Sequence, residues 1–457
     1  MTAHEIHSAQ PAPRPVDHRA ALAAARGRMR ATGQWTPSQF MGRRWPIGCV
    51  ALEITQRCNL DCTACYLSEH AEAVKDLPLE EVFRRIDMIF DHYGPHTDVQ
   101  VTGGDPTLRK RDELVAIVRR IRAKRMRPTL FTNGIRAKRE LLRDLVDAGL
   151  VDVAFHVDMT QQRKGYASEI ALNALRQEYI ERARGLRLAV MFNTTVFEGN
   201  FDELPEVVAF FARNSSLVRL ASFQLLADTG RGVLGVRAAR ISIASVRRQI
   251  ERGAGTSLSF DAIGAGHAQC NRYAMTLVTH GRVYDILDDK ELVEDVLAHT
   301  ASLQFDRQSG SAAIGALLKG MLTSPRLALR AAAWLMRKLW RAKVDLLRAG
   351  GRVDKLSFFI HNFMDACNLE KDRIEACVFT AATGNGPVSM CLHNAKRDAF
   401  VLQPVKLNGA QGIRFWNPLS GESSSVPMRI PPQVDPGPKA AKRRSKRALR
   451  AAVRGQR

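Results

Sequence analysis

Between residues 48 and 227 the chain alternates without a break between short apolar runs and stretches with apolar residues at helical spacing. The spacing predicts strands over 50–54, 98–101, 128–132, 151–157, 188–196 and 217–226. Helices are predicted over 79–90, 113–122, 139–148, 170–184 and 201–213. Such alternation builds a parallel sheet with right-handed crossovers. Six units closing part of the way round make an α/β fold, a partial (β/α)6 TIM-type barrel. Its chemistry is expected at the carboxyl ends of the strands.

Just past the first strand stand Cys58, Cys62 and Cys65, in C-x₃-C-x₂-C spacing. Three thiolates on one loop can hold three corners of a [4Fe–4S] cube. The next cysteine is Cys270, so one iron would lack a protein ligand and stay open to a small molecule. A structural zinc using His70 as fourth ligand is the alternative, but zinc knuckles favour paired cysteines in a closed set. The bacterial ferredoxin run C-x₂-C-x₂-C-x₃-C-P is absent. The second strand ends in Thr102-Gly103-Gly104-Asp105-Pro106, where paired glycines let backbone approach a ligand.

Together the cysteine loop and the Gly103-Gly104-Asp105-Pro106 segment resemble the radical S-adenosylmethionine (radical SAM) enzymes. The resemblance implies that the open iron chelates S-adenosylmethionine. An electron from the cluster then cleaves it to a 5′-deoxyadenosyl radical, which abstracts hydrogen from an unactivated carbon. It implies that Gly103, Gly104 and Asp105 hold the methionine amino group, with Asp105 standing where the family carries Glu. Asn133, Asp158 and Asn193, on strands three to five or at their ends, are further cofactor-binding candidates. Relatives show a Ser-x-Asp segment on strand four, and His156 here replaces the serine. No catalytic side chain is assigned. A reducing partner, flavodoxin or ferredoxin, is implied.

The chain divides into an arm (1–45), the core barrel (46–234), a C-terminal extension (235–425), and a Pro-rich linker with a basic tail (426–457). The arm is expected to be mobile, with one helix around residues 19–30. In the extension, residues 270–284 read as a hairpin, and Cys270, Cys367, Cys377 and Cys391 supply the four thiols that a second [4Fe–4S] cluster requires. Cys49 reads as core packing. The run Phe363-Met364-Asp365-Ala366-Cys367, then Asp372-Arg373, Cys377, Gly386-Pro387, Cys391 and Asn394, resembles the radical SAM branch of the archaeal tetraether lipid synthases. That branch has an N-terminal cysteine-rich knuckle, and residues 1–48 contain no cysteine. The likeness implies a lipid or isoprenoid substrate and an α+β iron–sulfur extension.

Net charge matters because it is +22 over 457 residues. Much of it lies at the ends, from Arg14 to Arg44 and from Lys439 to Arg457. Such ends attract polyanions, nucleic acid or anionic membrane. Residues 327–348 segregate Arg330, Arg337, Lys338, Arg341, Asp345 and Arg348 from Leu335, Met336, Leu339, Trp340 and Leu347. That pattern fits a helix lying in a membrane interface, or one packed on the barrel with a basic outer face. No run is long enough to span a bilayer and no apolar signal segment opens the chain, so a cytoplasmic protein, peripheral at the inner membrane face, is expected. Maturation of a ribosomal peptide is the second functional reading. The third is a non-catalytic iron–sulfur or zinc protein that binds nucleic acid through its basic ends.

Overall fold

The computed structural model describes residues 17–234, 237–303, 310–409 and 412–426. The basic tail and almost all of the linker therefore lie outside the described residues. Helix α1 (His18–Ala31) is capped by Asp17 and buries Ala21, Ala25 and Met29. The segment after it is pinned. Gln39 donates to the carbonyls of Gln34 and Gly266, and Arg44 donates to Thr300 and Leu303. Met41 and Ile47 join the central core, and Arg26, Arg30 and Arg43 stack on Trp35. This corrects the expectation of a mobile arm over residues 17–45. Its arginines serve a tryptophan, and its small residues have an apolar seat.

The core follows the predicted order. Its elements are β1 (Cys49–Thr55), α2 (Leu79–Tyr93), β2 (Asp98–Gly103), α3 (Arg111–Ala123), β3 (Arg127–Thr132) and α4 (Arg139–Asp147). They continue with β4 (Asp152–His156), α5 (Asn173–Ala183), β5 (Ala189–Val196), α6 (Leu204–Arg213) and β6 (Val218–Leu225). Every residue of β1 is buried, as a strand covered on both faces must be. Cys49 is among them, in the packing role expected.

The C-terminal part runs through α7 (Ile243–Ala254), β7 (Asn271–Thr279), β8 (Arg282–Asp285), α8 (Lys290–His299), α9 (Gly310–Leu322) and α10 (Pro325–Arg348). It ends in β9 (Asp354–Asn362), α11 (Lys371–Glu375), β10 (Phe379–Thr383), β11 (Gly386–Ser389), α12 (Met390–Ala395) and a small sheet of β12 (Val405–Gly409), β13 (Gly412–Trp416) and β14 (Ser423–Ser424). The predicted hairpin is β7–β8, turned by His280 and Gly281, both with positive φ.

This extension is not a separate layer. The main sheet runs β11-β10-β1-β2-β3-β4-β5-β6-β9-β7-β8, and the eight strands from β10 to β9 are parallel. Two of the eight, β9 and β10, come from the extension. No backbone ladder joins them to each other among the described residues; their side chains meet instead. The ring of Phe379 lies 5.7 Å from Phe359 and 4.8 Å from His361, both edge-on. The barrel is thus partial in its hydrogen bonds and closed by aromatic contact.

Barrels of this kind are usually filled by layers of branched side chains. Here the inward positions at mid-height are Ala51, Gln100, Thr129, Ala154, Ser222 and Ser357, mostly small. The interior keeps a cavity of about 640 Å³. On β6 its lining runs from Arg219 to Leu225, on the order of 20 Å along the strand.

Candidate active site

The cysteine loop leaves β1 at the carboxyl end of the barrel. Thr63 pins its middle: its amide and hydroxyl donate to Thr160 O (2.8 and 3.1 Å), and its carbonyl accepts from Val233 and Leu234. Tyr66 OH donates to Gly103 O at 2.9 Å. Cys58, Cys62 and Cys65 form no disulfide and are half-buried, and Cys65 lines the cavity. Burial pushes the Cys62 thiol well up, and the neighbouring Cys65 and Cys58 push it further. Three thiols on one loop are the donor type that the irons of a cluster take, and this set fits one.

The glycines have a packing role of their own. A Cβ on Gly103 would overlap the carbonyl of Thr55, and one on Gly104 the carbonyl of Arg57. Gly103 also sits at φ 136°. The pair lets the end of β2 pack against the backbone that leads into the cysteine loop. Gly104 and Asp105 donate to Thr55 O and Arg57 O there, at 2.9 and 2.8 Å.

Asp105 is fully buried, and its carboxylate accepts from Thr107, from Thr132 Oγ1 and from Asn133 N. It is committed to tying β2 to β3 and does not line the cavity. Asn133 donates to Asn59 Oδ1 at 2.7 Å, beside Cys58. Asp158 is also fully buried. Burial alone would raise its carboxyl, but His156, Thr160 and Thr195 N hold it down at about 2. Of the six cofactor-binding candidates only Asn193 lines the cavity. Its Oδ1 is buried without a hydrogen-bond partner, as is Ser222 Oγ on the neighbouring strand. These two orphaned polar atoms, with His156, Thr195 and Gln224 around them, fit a polar cofactor at this end of the barrel.

His156 takes the place beside the cavity. Its Nε2 lies 2.6 Å from Asp158 Oδ2, and Asn193 Nδ2 lies 3.5 Å from its Nδ1. Opposite, on β1, Glu53 forms an ion pair with the fully buried Arg397, accepts from Gln56 at 2.9 Å and faces His393. Arg397 also lies over the Tyr66 ring, 4.8 Å away. The sequence reading missed this group; a lone acid inside the apolar run 50–54 was the signal for it.

The cavity's other wall is apolar: Tyr273, Met275, Phe359, Phe363, Phe379 and Met390. Of the four extension cysteines Cys391 itself lines the cavity, and Cys270 and Cys377 do not. Burial, then Cys377, pushes Cys270 up to about 11, and burial, then Cys377, pushes Cys391 up to about 12. Arg373 Nε donates to Cys270 Sγ at 3.3 Å. Cys367 is exposed.

Residues 52–211 match the family model described as the Radical SAM superfamily. The chain is 31% identical over 183 residues to a probable GTP 3′,8-cyclase of Pyrococcus abyssi, covering 39% of this chain and 58% of that one. It is 29% identical over 187 residues to the 7,8-dihydro-6-hydroxymethylpterin dimethyltransferase of Methanocaldococcus jannaschii, covering 39% and 36%. It is 31% identical over 166 residues to the PqqA peptide cyclase of Bradyrhizobium diazoefficiens, covering 35% and 42%. The chain thus spans about half the length of these relatives. The crystal structure of Streptococcus suis SuiB is similar over 44% of this chain and 45% of its own, at 16% identity and a TM-score of 0.34.

Proposed function

We propose that the chain is a radical SAM enzyme, one that uses a [4Fe–4S] cluster and S-adenosylmethionine with a reductant, and that it acts on the apolar chain of a lipid or isoprenoid. When bound, cluster and cofactor supply a radical able to take hydrogen from an unactivated carbon. Cys58, Cys62 and Cys65 hold the cluster. Asn193, Ser222, His156 and Thr195 orient the cofactor. The half-buried wall of Tyr273, Met275, Phe359 and Phe379 seats the substrate. The observation that carries this reading is that wall: a long interior cavity whose β7, β9 and β10 side offers rings and thioethers.

The family match ends at residue 211, before the extension that builds this wall, and the relatives' own names include a nucleotide cyclase and a peptide cyclase. The core therefore does not choose the substrate. The similarity to a peptide cyclase keeps maturation of a ribosomal peptide as the second reading. Anaerobic incubation of reconstituted protein with S-adenosylmethionine, dithionite and host lipid extract discriminates. Lipid should raise 5′-deoxyadenosine release and yield a lipid of changed mass by mass spectrometry. Phe359→Ala with Phe379→Ala should cut that lipid-dependent release about tenfold while basal cofactor cleavage continues. Release that responds to a peptide and not to lipid overturns the reading.

The extension thiols are proposed to hold a second cluster, on Cys270, Cys377 and Cys391 with Cys367 as fourth ligand. A protein lacking Cys58, Cys62 and Cys65 should still take up about four irons, as a [4Fe–4S] site requires. Iron analysis after anaerobic reconstitution decides; an iron-free variant makes those cysteines packing residues.

A further inference from the structure

Helix α10 sends four cations toward the acids of the segment before it. Arg330 and Lys338 are mostly covered there, while Arg337 and Arg341 stay more than half exposed. Arg330 pairs with Asp295, Arg337 lies 3.5 Å from Asp289, Lys338 lies 2.6 Å from Asp288, and Arg341 lies 3.8 Å from Asp288. Near its far end the buried Asp345 accepts from Tyr284 OH at 2.5 Å. These polar ties fix the helix's rotation, so its apolar arc points outward. Leu329 is 72% exposed, Met336 65%, Trp340 71% and Leu347 82%. Helix α9 adds Ile314, Leu318 and Leu322, each more than half exposed. Of the two arrangements expected for this helix, a purely basic outer face is not what it shows: the apolar arc is outward, with Arg337 and Arg341 exposed as well.

We infer that the α9–α10 hairpin docks the protein on an anionic lipid bilayer, with Leu329, Met336, Leu339, Trp340 and Leu347 entering the interface. Charge selects that occupant. The hairpin's exposed cations are Lys319, Arg326, Arg337, Arg341, Lys343 and Arg348, and the one acid between residues 310 and 348 is the buried Asp345. Lys343 sits over the Trp340 ring at 3.3 Å, at the centre of the apolar arc. A second copy of this chain would bring like cations together; a layer of anionic headgroups meets them with opposite charge. No helix among the described residues is long and apolar enough to cross a membrane, so the hairpin lies on the surface. The docking stands apart from the substrate assignment, since none of these residues lines the cavity.

The test uses the full chain and vesicles of phosphatidylglycerol and phosphatidylcholine. The basic tail binds such vesicles by charge alone, and about 0.5 M salt screens that within roughly 4 Å. At that salt the parent protein should remain bound, and Trp340 fluorescence should be quenched by brominated lipid. Trp340→Phe should bind yet lose that quenching. Leu339→Ser with Trp340→Ser and Leu347→Ser should bind at least about tenfold more weakly. Its basal 5′-deoxyadenosine release should be unchanged, which shows that it is folded. Equal binding of parent and triple variant, or no binding of the parent at that salt, overturns the proposal. So does self-association that the triple variant abolishes without any lipid quenching, which makes the face a contact between copies.

Discussion

Alanine at Cys58, Cys62 and Cys65 together is expected to abolish 5′-deoxyadenosine formation with dithionite as reductant, leaving less than about one part in a thousand. The loop itself should stay in place, because Thr63 and Tyr66 anchor it through Thr160, Val233 and Gly103 without help from the sulfurs. The loss is then chemical and not structural, and circular dichroism and melting temperature of the variant should match those of the protein loaded only at its other cysteines. Single alanine variants should each lose most activity, because a cube held at two corners exposes a second iron. Cleavage persisting in the triple variant would mean that the extension cysteines carry the reactive cluster, and the assignment would fall.

A second consequence concerns His156. Where relatives carry serine, this imidazole lies against Asp158, Asn193 and Thr195 at the cavity's edge. The predicted cofactor ligand Asp158 is thereby turned into a support for the histidine. The sequence shows both residues at the end of a strand, and alternation puts them on one side of it. It does not show that the buried member serves the exposed one, because that depends on Thr160 and Thr195 saturating Asp158 first.

The core was legible because each strand and helix is local. Periodicity over ten residues sets the burial of β1 and α2, and both ends fall within a few residues of expectation. What stayed hidden is non-local. Strand β9 pairs with β6 across more than a hundred residues, and β10 returns to the opposite edge beside β1. Nothing within residues 358–363 states which strand they join. The same holds for Asp105: its motif suggested a ligand contact, whereas Thr132 and Asn133, on another strand, consume its carboxylate. For α10 the pattern of charge and apolar arc was correct in the sequence. The sequence leaves its rotation open between two readings, because that depends on Asp288, Asp289 and Asp295, which precede it by thirty residues or more.

The buried ion pair between Glu53 and Arg397 carries the other large expected effect. Arg397 is fully buried, and Glu53 is only 7% exposed. Burial by itself raises the Glu53 carboxyl, but Arg397, His393 and Gln56 hold it below the usual range. Removing one partner of such a pair strands the other charge, at a cost of about 3–5 kcal/mol. Arg397→Met should therefore lower unfolding stability by about that much, measured by denaturant titration of the anaerobic protein. Arg397→Met combined with Glu53→Gln should recover most of it. A near-zero effect of the single change would show that water reaches Glu53. The group also sets an acid limb. Burial holds the His393 imidazole down at about 4, with Glu53 opposing and Arg397, Arg85 and Arg231 adding to the effect. A histidine depressed in the folded state binds its proton first in the unfolded chain. Its contribution is complete above about pH 6.5 and is lost as pH falls toward 4, by roughly 3 kcal/mol. Glu53, depressed as well, loses its share as pH falls from the ordinary carboxylate range down through its own lower pKa. His393→Gln should flatten the loss between pH 6.5 and 4 while leaving the steeper fall below 4 in place. Because Arg397 lies over Tyr66, next to Cys65 in the chain, the same acidification should release iron from the cysteine loop before the barrel unfolds.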